Sequence, residues 1–253
     1  MHIRMLHVSV RPGALVPLRR AYEREVTTAL AGVDGCRYAG LFQDVRDAER
    51  CLSLTVWTEA RHAEDYARSP LFERLIGATS EFFSESEEFT IRLSENLTIE
   101  EVHLPARPEV ADLAVEAGTV EDPGRVTMHP GITVRTVTLS LRPGAVDTFV
   151  RVYREGAIPI LRGVPGCQHV FLAVPAGAAD EVMSVTLWSD GAAIDAYERS
   201  GLYSRLLQEQ EDLLSPLYRA AISHQKEHHM QAASSEDIRV RRYQLLTGRQ
   251  YPS

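Results

Sequence analysis

Apolar and polar positions alternate along this chain with two periods, and the same succession occurs twice. From Met5 to Val10, Leu6, Val8 and Val10 alternate with His7 and Ser9 ahead of Arg11-Pro12-Gly13, which predicts a strand closed by a turn. Leu15, Leu18, Tyr22, Val26 and Leu30 then recur at spacings of three and four and predict a helix ended by Gly32-Val33-Asp34-Gly35. Cys36 to Phe42 and Arg50 to Trp57 flank the polar run Gln43 to Glu49 and predict an antiparallel hairpin with Cys36 opposite Trp57. A second helix is expected over 59–83, bent or interrupted at Ser69-Pro70, and a fourth strand over 89–93. Strand, helix, strand, strand, helix, strand is the ferredoxin-like order, a four-stranded antiparallel sheet with two helices on one face.

The repeat has a fixed offset, 188 − 57 = 131, set by Trp57 and Trp188. It also aligns Tyr66 with Tyr197, Arg68 with Arg199, Ser69 with Ser200, Gly35-Cys36 with Gly166-Cys167, and Arg11-Pro12-Gly13-Ala14 with Arg142-Pro143-Gly144-Ala145. A period this long marks a duplicated domain, with 1–104 and 131–253 as the halves. Residues 105–130, rich in proline and acidic side chains with little periodicity, read as a linker, and 248–253 as a loose tail. In each half one sheet face is greasy and the other mixed but uncharged, the pattern of a sheet buried on both sides. The cover for the second face is the other half's sheet. The expected architecture is α+β: two tandem ferredoxin-like domains packed sheet to sheet as a fused barrel.

A net charge of −8 excludes the basic field needed for nucleic acid or an anionic membrane, and no apolar run is long enough to span a bilayer. The strand-like N-terminus offers no secretory signal, so a cytoplasmic location is expected. Three cysteines, two of them repeat equivalents, fit packed thiols better than a disulfide frame.

Three features together resemble the antibiotic biosynthesis monooxygenase superfamily of dimeric α+β-barrel proteins. They are the stop before strand two (Val164-Pro165-Gly166, weaker as Val33-Asp34-Gly35), the hairpin ending in tryptophan (Thr55-Val56-Trp57, Thr186-Leu187-Trp188), and the helix carrying an aromatic followed by Arg-Ser (Tyr66/Arg68/Ser69, Tyr197/Arg199/Ser200). The resemblance implies two ferredoxin-like units packed as one barrel, here joined in a single chain, and is specific for fold more than for reaction. It implies an oxygenase that tailors a polycyclic aromatic polyketide of anthrone or angucycline type, forming a quinone or opening a ring with molecular oxygen. Neither metal nor haem is implied. Either no cofactor is required, or reduced flavin (FADH2 or FMNH2) arrives from a separate flavin reductase. The haem-degrading branch carries an Asn in strand one and a His on helix two; those places hold Leu6 and Ile76 or Leu207, so haem degradation is not expected. The alternatives are a polyketide cyclase and a non-catalytic aromatic-ligand-binding protein. A homodimer of the fused unit is a further expectation.

Trp57, Tyr66, Trp188 and Tyr197 are the pocket candidates, since flat substrates stack on aromatic rings; the plainer reading is that each Trp plugs a hairpin and each Tyr packs helix on sheet. His169, standing where the first copy has Tyr38, is a candidate base for deprotonating a carbon acid. His7 and Tyr38 are candidate substrate contacts, and Arg68 and Arg199 candidates for stabilising an oxyanion. His224 and His228 lie one helical turn apart, but no third ligand is evident, so no metal site is expected.

Overall fold

The structure, a computed structural model, describes residues 1–93, 99–126, 128–216 and 238–252. The first repeat opens with β1 (His2–Ser9), after which α1 (Leu15–Ala21), a π turn (Tyr22–Val26) and α2 (Thr27–Leu30) run on as one helix. The apolar residues of this segment explain the π turn. Leu18, Tyr22, Val26 and Leu30 follow one another at four, which drifts round a helix of 3.6 residues per turn. A stretch bonded i to i+5, seen where the Thr27 N–H meets the Tyr22 carbonyl, takes up that drift. Phe149, Tyr153, Ala157 and Leu161 repeat the spacing, and α5 (Val146–Val152), a π turn (Tyr153–Ala157) and α6 (Ile158–Arg162) repeat the form.

The hairpins β2 (Cys36–Asp44) with β3 (Arg50–Trp57), and β8 (Cys167–Pro175) with β9 (Glu181–Trp188), pair Cys36 with Trp57 and Cys167 with Trp188, the register expected from the sequence. Gly35 and Gly166 precede them at φ +77° and +83°; a Cβ there would strike His62 or Ala193, so only glycine fits. The second helix of the first half is divided into α3 (Ala60–Ala67) and α4 (Pro70–Ser80), with Ser69 accepting the Phe72 N–H as N-cap and Pro70 at the first helical position. Its twin divides into α7 (Gly191–Arg199) and α8 (Leu202–Glu209), and Gly201 at φ +74° turns the corner that Pro70 turns in the first copy.

The structure departs from expectation at the fourth strand. Phe89 lies in β4 (Glu85–Leu93), which pairs only with β5 (Ile99–Pro105) in a separate two-stranded sheet. The fourth strand of the first half is instead β6 (Glu109–Gly118), inside the segment read as a linker. With β7 (Thr133–Ser140) and β10 (Ile238–Gln250), the order β1-β3-β2-β10-β7-β9-β8-β6 closes a barrel. β6 pairs with β1 of its own half and β8 of the other, and β10 with β7 and β2. Each half thus lends a strand edge to its twin, which leaves no open edge in the barrel. The expected loose tail is tied down as well: Gln250 ends β10, and buried Tyr251 donates its hydroxyl to the Thr27 carbonyl at 2.7 Å.

Strand alternation sends one set of side chains into the barrel and the other towards the helices. Ile3, Met5, Phe42, Leu54, Phe171 and Tyr243 pack the interior. At its two ends the copies exchange volume. Tyr38 reaches over Gly40 and Gly248 in the first half, where a Cβ on either glycine would lie 2.3 Å from the Tyr38 hydroxyl; the second half has His169 stacked on Phe171 at 6.1 Å. Gly248→Ala is expected to cost about 1–3 kcal/mol by overpacking, and Tyr38→Leu in the same chain to recover most of it. Urea denaturation midpoints decide this, and an unaltered midpoint in Gly248→Ala would refute the packing argument.

Candidate functional site

Each half encloses a cavity between sheet and helices, about 50 Å³ in the first and 40 Å³ in the second. Their walls correspond at the offset of 131: Tyr66 with Tyr197, Tyr22 with Tyr153, Ser53 with Ser184, Thr55 with Thr186. The π turns aim Tyr22 and Tyr153 across the space, where their hydroxyls bond Ser53 Oγ at 2.9 Å and Ser184 Oγ at 2.7 Å. Behind the tyrosines stand the tryptophans. Trp57 and Trp188 are fully buried, donate Nε1–H to Thr55 and Thr186 Oγ1 at 2.8 Å, and lie 5.3 and 5.1 Å from the Tyr66 and Tyr197 rings. Tyr66 and Tyr197 therefore line the cavities, whereas the tryptophans support them from outside.

The two cavities differ in chemistry. Leu18, Phe72 and Thr79 of the first become Phe149, Tyr203 and Gln210 in the second, and the second gains Arg135. Arg135 is 3% exposed; its Nε donates to Glu198 at 2.9 Å, its guanidinium lies 4.3 Å from the Tyr203 ring centre, and Nη2 has no hydrogen-bond partner. Its twin Arg4 lies over Phe72, the equivalent of Tyr203, at 5.5 Å, but has different polar partners. Where the second half has Glu198 the first has Ala67, and Arg4 donates instead to the Ala63 carbonyl at 3.0 Å and sits 3.6 Å from Asp112, the residue opposite it on β6. The residue opposite Arg135 on β10 is Arg242, which pairs with Asp195 at 2.5 Å and with Glu198. The sequence reading overlooked both arginines, although they obey the repeat offset. It also overlooked the Tyr–Ser pairs, whose signal was that Tyr22/Tyr153 and Ser53/Ser184 both keep the repeat offset.

The remaining candidates do not gather with these. His169 and Tyr38 belong to the barrel interior, on the other face of the sheet, and His7 lies there too, its ring 5.9 Å from Tyr243. Arg68 is exposed and pairs with Glu64 at 3.4 Å. Arg199 is exposed, on the wall of an outer groove of about 770 Å³ that Arg135 and Tyr203 also line. His224 and His228 lie outside the described residues. Among the described residues no three His, Cys, Asp or Glu side chains cluster as a metal site, and no helix is long and apolar enough to cross a membrane.

Burial fixes the protonation states. It pushes the Tyr153 hydroxyl up to about 12 and raises Tyr197 and Tyr203, so these groups stay protonated at neutral pH. The Cys36, Cys51 and Cys167 thiols are likewise pushed up to about 12, which leaves them protonated and poor nucleophiles. Desolvation lowers His7 and His169, and the hydrogen bond from His2 lowers Asp112. Below the ordinary histidine value of 6.5 the unfolded chain takes up protons that the two folded imidazoles refuse, so stability falls with pH until their folded values are passed. The Asp112 contribution, complete above 3.8, is lost at lower pH still, as pH falls through its folded value. The urea midpoint is expected to drop between pH 7.5 and 5, and less steeply in His169→Gln; parallel profiles for wild type and variant would contradict the assignment.

Two like halves closing a single α+β barrel, each with an aromatic-walled cavity under its helices, define the class as the fused form of a dimeric α+β barrel. The chain belongs to the antibiotic biosynthesis monooxygenase family, whose pattern matches residues 1–78 and 133–209. Among solved structures, a candidate monooxygenase from Lactobacillus acidophilus NCFM aligns at TM-score 0.65 and 9% identity over 98% of this chain and 95% of that one. A candidate monooxygenase from Fusobacterium nucleatum aligns at 0.61 and 9% over 98% and 94%. An anthrone oxidase-like protein aligns at 0.56 and 14% over 100% and 94%. At these identities the likeness is one of fold. No curated protein matches the sequence. Family membership supports a monooxygenase-type activity.

Proposed function

We propose that the protein is an oxygenase of aromatic polyketide tailoring that converts an anthrone-type ring to a quinone with molecular oxygen, and that the second half holds the reacting site. The observation behind this reading is the second cavity's combination of aromatic walls with a buried guanidinium whose Nη2 is unspent. An anthrone is a carbon acid whose enolate carries its charge on oxygen. Arg135 is placed to hold that oxyanion, and Tyr197 and Tyr203 to flank the rings. With the oxyanion held, the substrate ionises more readily and its proton leaves to water in the outer groove. The electron-rich carbon then reacts with oxygen; one oxygen atom stays as the new carbonyl and the other departs as water with the two hydrogens of the methylene, so that anthrone and O2 give quinone and H2O. No residue of the second cavity acts as base in this scheme, and His169 stands on the far face of the sheet.

A cavity that accepts a benzene-sized ring has a volume of about 150 Å³, so a tricyclic substrate enters as Tyr203, which lines both cavity and groove, turns outward. The scheme has no step through a reduced flavin. The test is aerobic incubation of purified protein with anthrones, with and without reduced flavin, following oxygen uptake and quinone absorbance. Absence of both signals in every combination overturns the oxygenase reading; an anaerobic conversion to a cyclised product would replace it with a cyclase.

A further inference from the structure

The outer groove next to the second cavity carries more charge than the fold requires. It runs between β10, the α7–α8 corner and the β2–β3 turn, and along it stand six arginines against four carboxylates. Each carboxylate is already engaged: Asp44 by Arg241 at 3.5 Å, Asp47 by Arg50 at 3.9 Å, Asp195 by Arg242 at 2.5 Å, and Glu198 by Arg135 at 2.9 Å and by Arg242. The surplus is therefore cationic, with Arg46 and Arg199 on the groove walls and Arg135 Nη2 at its inner end. At the corresponding place in the first half an acid stands instead, Asp112 facing Arg4 where Arg242 would stand.

We propose that this groove is an anion subsite, and that the substrate is an aromatic acid whose rings enter the second cavity, where Arg135 serves the enolate, while a carboxylate remains outside between Arg46 and Arg199. The assignment rests on the oxygenase reading for the nature of the rings, and on the groove alone for the charge. Planar guanidinium forks match a carboxylate in two parallel hydrogen bonds, and the shared lining of Arg135 and Tyr203 ties recognition of the acid to the opening of the cavity. A phosphate, as on a flavin mononucleotide, offers related oxyanion chemistry, and the experiment separates the two.

Dissociation constants are measured for the full chain with anthraquinone-2-carboxylate and with its neutral relative 2-(hydroxymethyl)anthraquinone, and in parallel with riboflavin 5′-phosphate and riboflavin. The carboxylate is expected to bind at least about tenfold tighter than the alcohol, in keeping with a charge-assisted hydrogen bond, and the Arg46→Gln/Arg199→Gln double variant to lose that preference. Equal binding of acid and alcohol by the unaltered protein overturns the subsite. A preference confined to the flavin pair assigns the groove to a phosphate and overturns the substrate acid. Quinone formation from a neutral anthrone, measured on the same preparation, keeps the two readings apart. Turnover without carboxylate preference removes only the subsite, and carboxylate preference without oxygen uptake removes only the oxygenase.

Discussion

Replacing Arg135 by glutamine is expected to lower kcat for anthrone oxidation about 10²–10³-fold, the cost of removing one preorganised oxyanion donor. KM should change less, because the enolate charge develops after binding. The fold should survive: Glu198 keeps Arg242 as a partner, and the substitution removes a buried charge without stranding its counter-ion. Arg4→Gln provides the control. It alters the equivalent residue of the first half, whose guanidinium donates to the Ala63 carbonyl and lies over Phe72 without itself lining the first cavity, and it should leave kcat where it was. Equal losses in both variants would show that the arginines serve the barrel and not the reaction, and full activity in Arg135→Gln would remove the second cavity from the chemistry.

Trp188→Ala and Trp57→Ala should each destabilise the protein by about 3–5 kcal/mol, the range for truncating a large buried aromatic. Both rings are fully buried, and each also ends a hydrogen bond that its threonine would then lose. At about 2–4 °C per kcal/mol for a chain of this size, a fall in Tm of roughly 6–20 °C follows. The two variants should part in activity. Trp188→Ala withdraws support from Tyr197 and should slow turnover in the protein that remains folded, whereas Trp57→Ala should act through stability alone. Calorimetry with kinetics on the folded fraction separates these effects, and a cost below about 1 kcal/mol in either variant would be incompatible with the packing described.

Most of the barrel could be read from alternation and repetition, because the residues that fix it are apolar and recur. The hairpin pairing of Cys36 with Trp57, the break at Pro70 and the burial of both sheet faces all follow from local pattern. β6 was hidden because Glu109–Gly118 is built largely of Glu, Asp, Ala and Gly, types poor in strands; it is held in place by its neighbours β1 and β8 and not by its own propensity. Phe89 and Ile91, by contrast, look like a barrel strand and belong to a side hairpin. The cavity residues were half legible. Tyr66 and Tyr197 stand out as repeated aromatics, but an arginine in a strand reads as solvated, and Arg135 is buried only because Glu198 on a distant helix meets it. The difference between Tyr38 and His169 was visible in the sequence, but not that it falls on the barrel-interior face, where glycines accommodate one and a phenylalanine stacks on the other.

The crossed pairing of β6 and β10 also bears on how such a protein can change. In a barrel made from two identical subunits every substitution is entered twice, so an arginine that suits one cavity is imposed on the other. Here the copies are covalently one, and each still completes the other's sheet, so neither can be discarded. One half can thereby keep a neutral interior while the other carries Arg135, Glu198 and Arg242. With both halves in one chain, a substitution changes one cavity and leaves the other as it was.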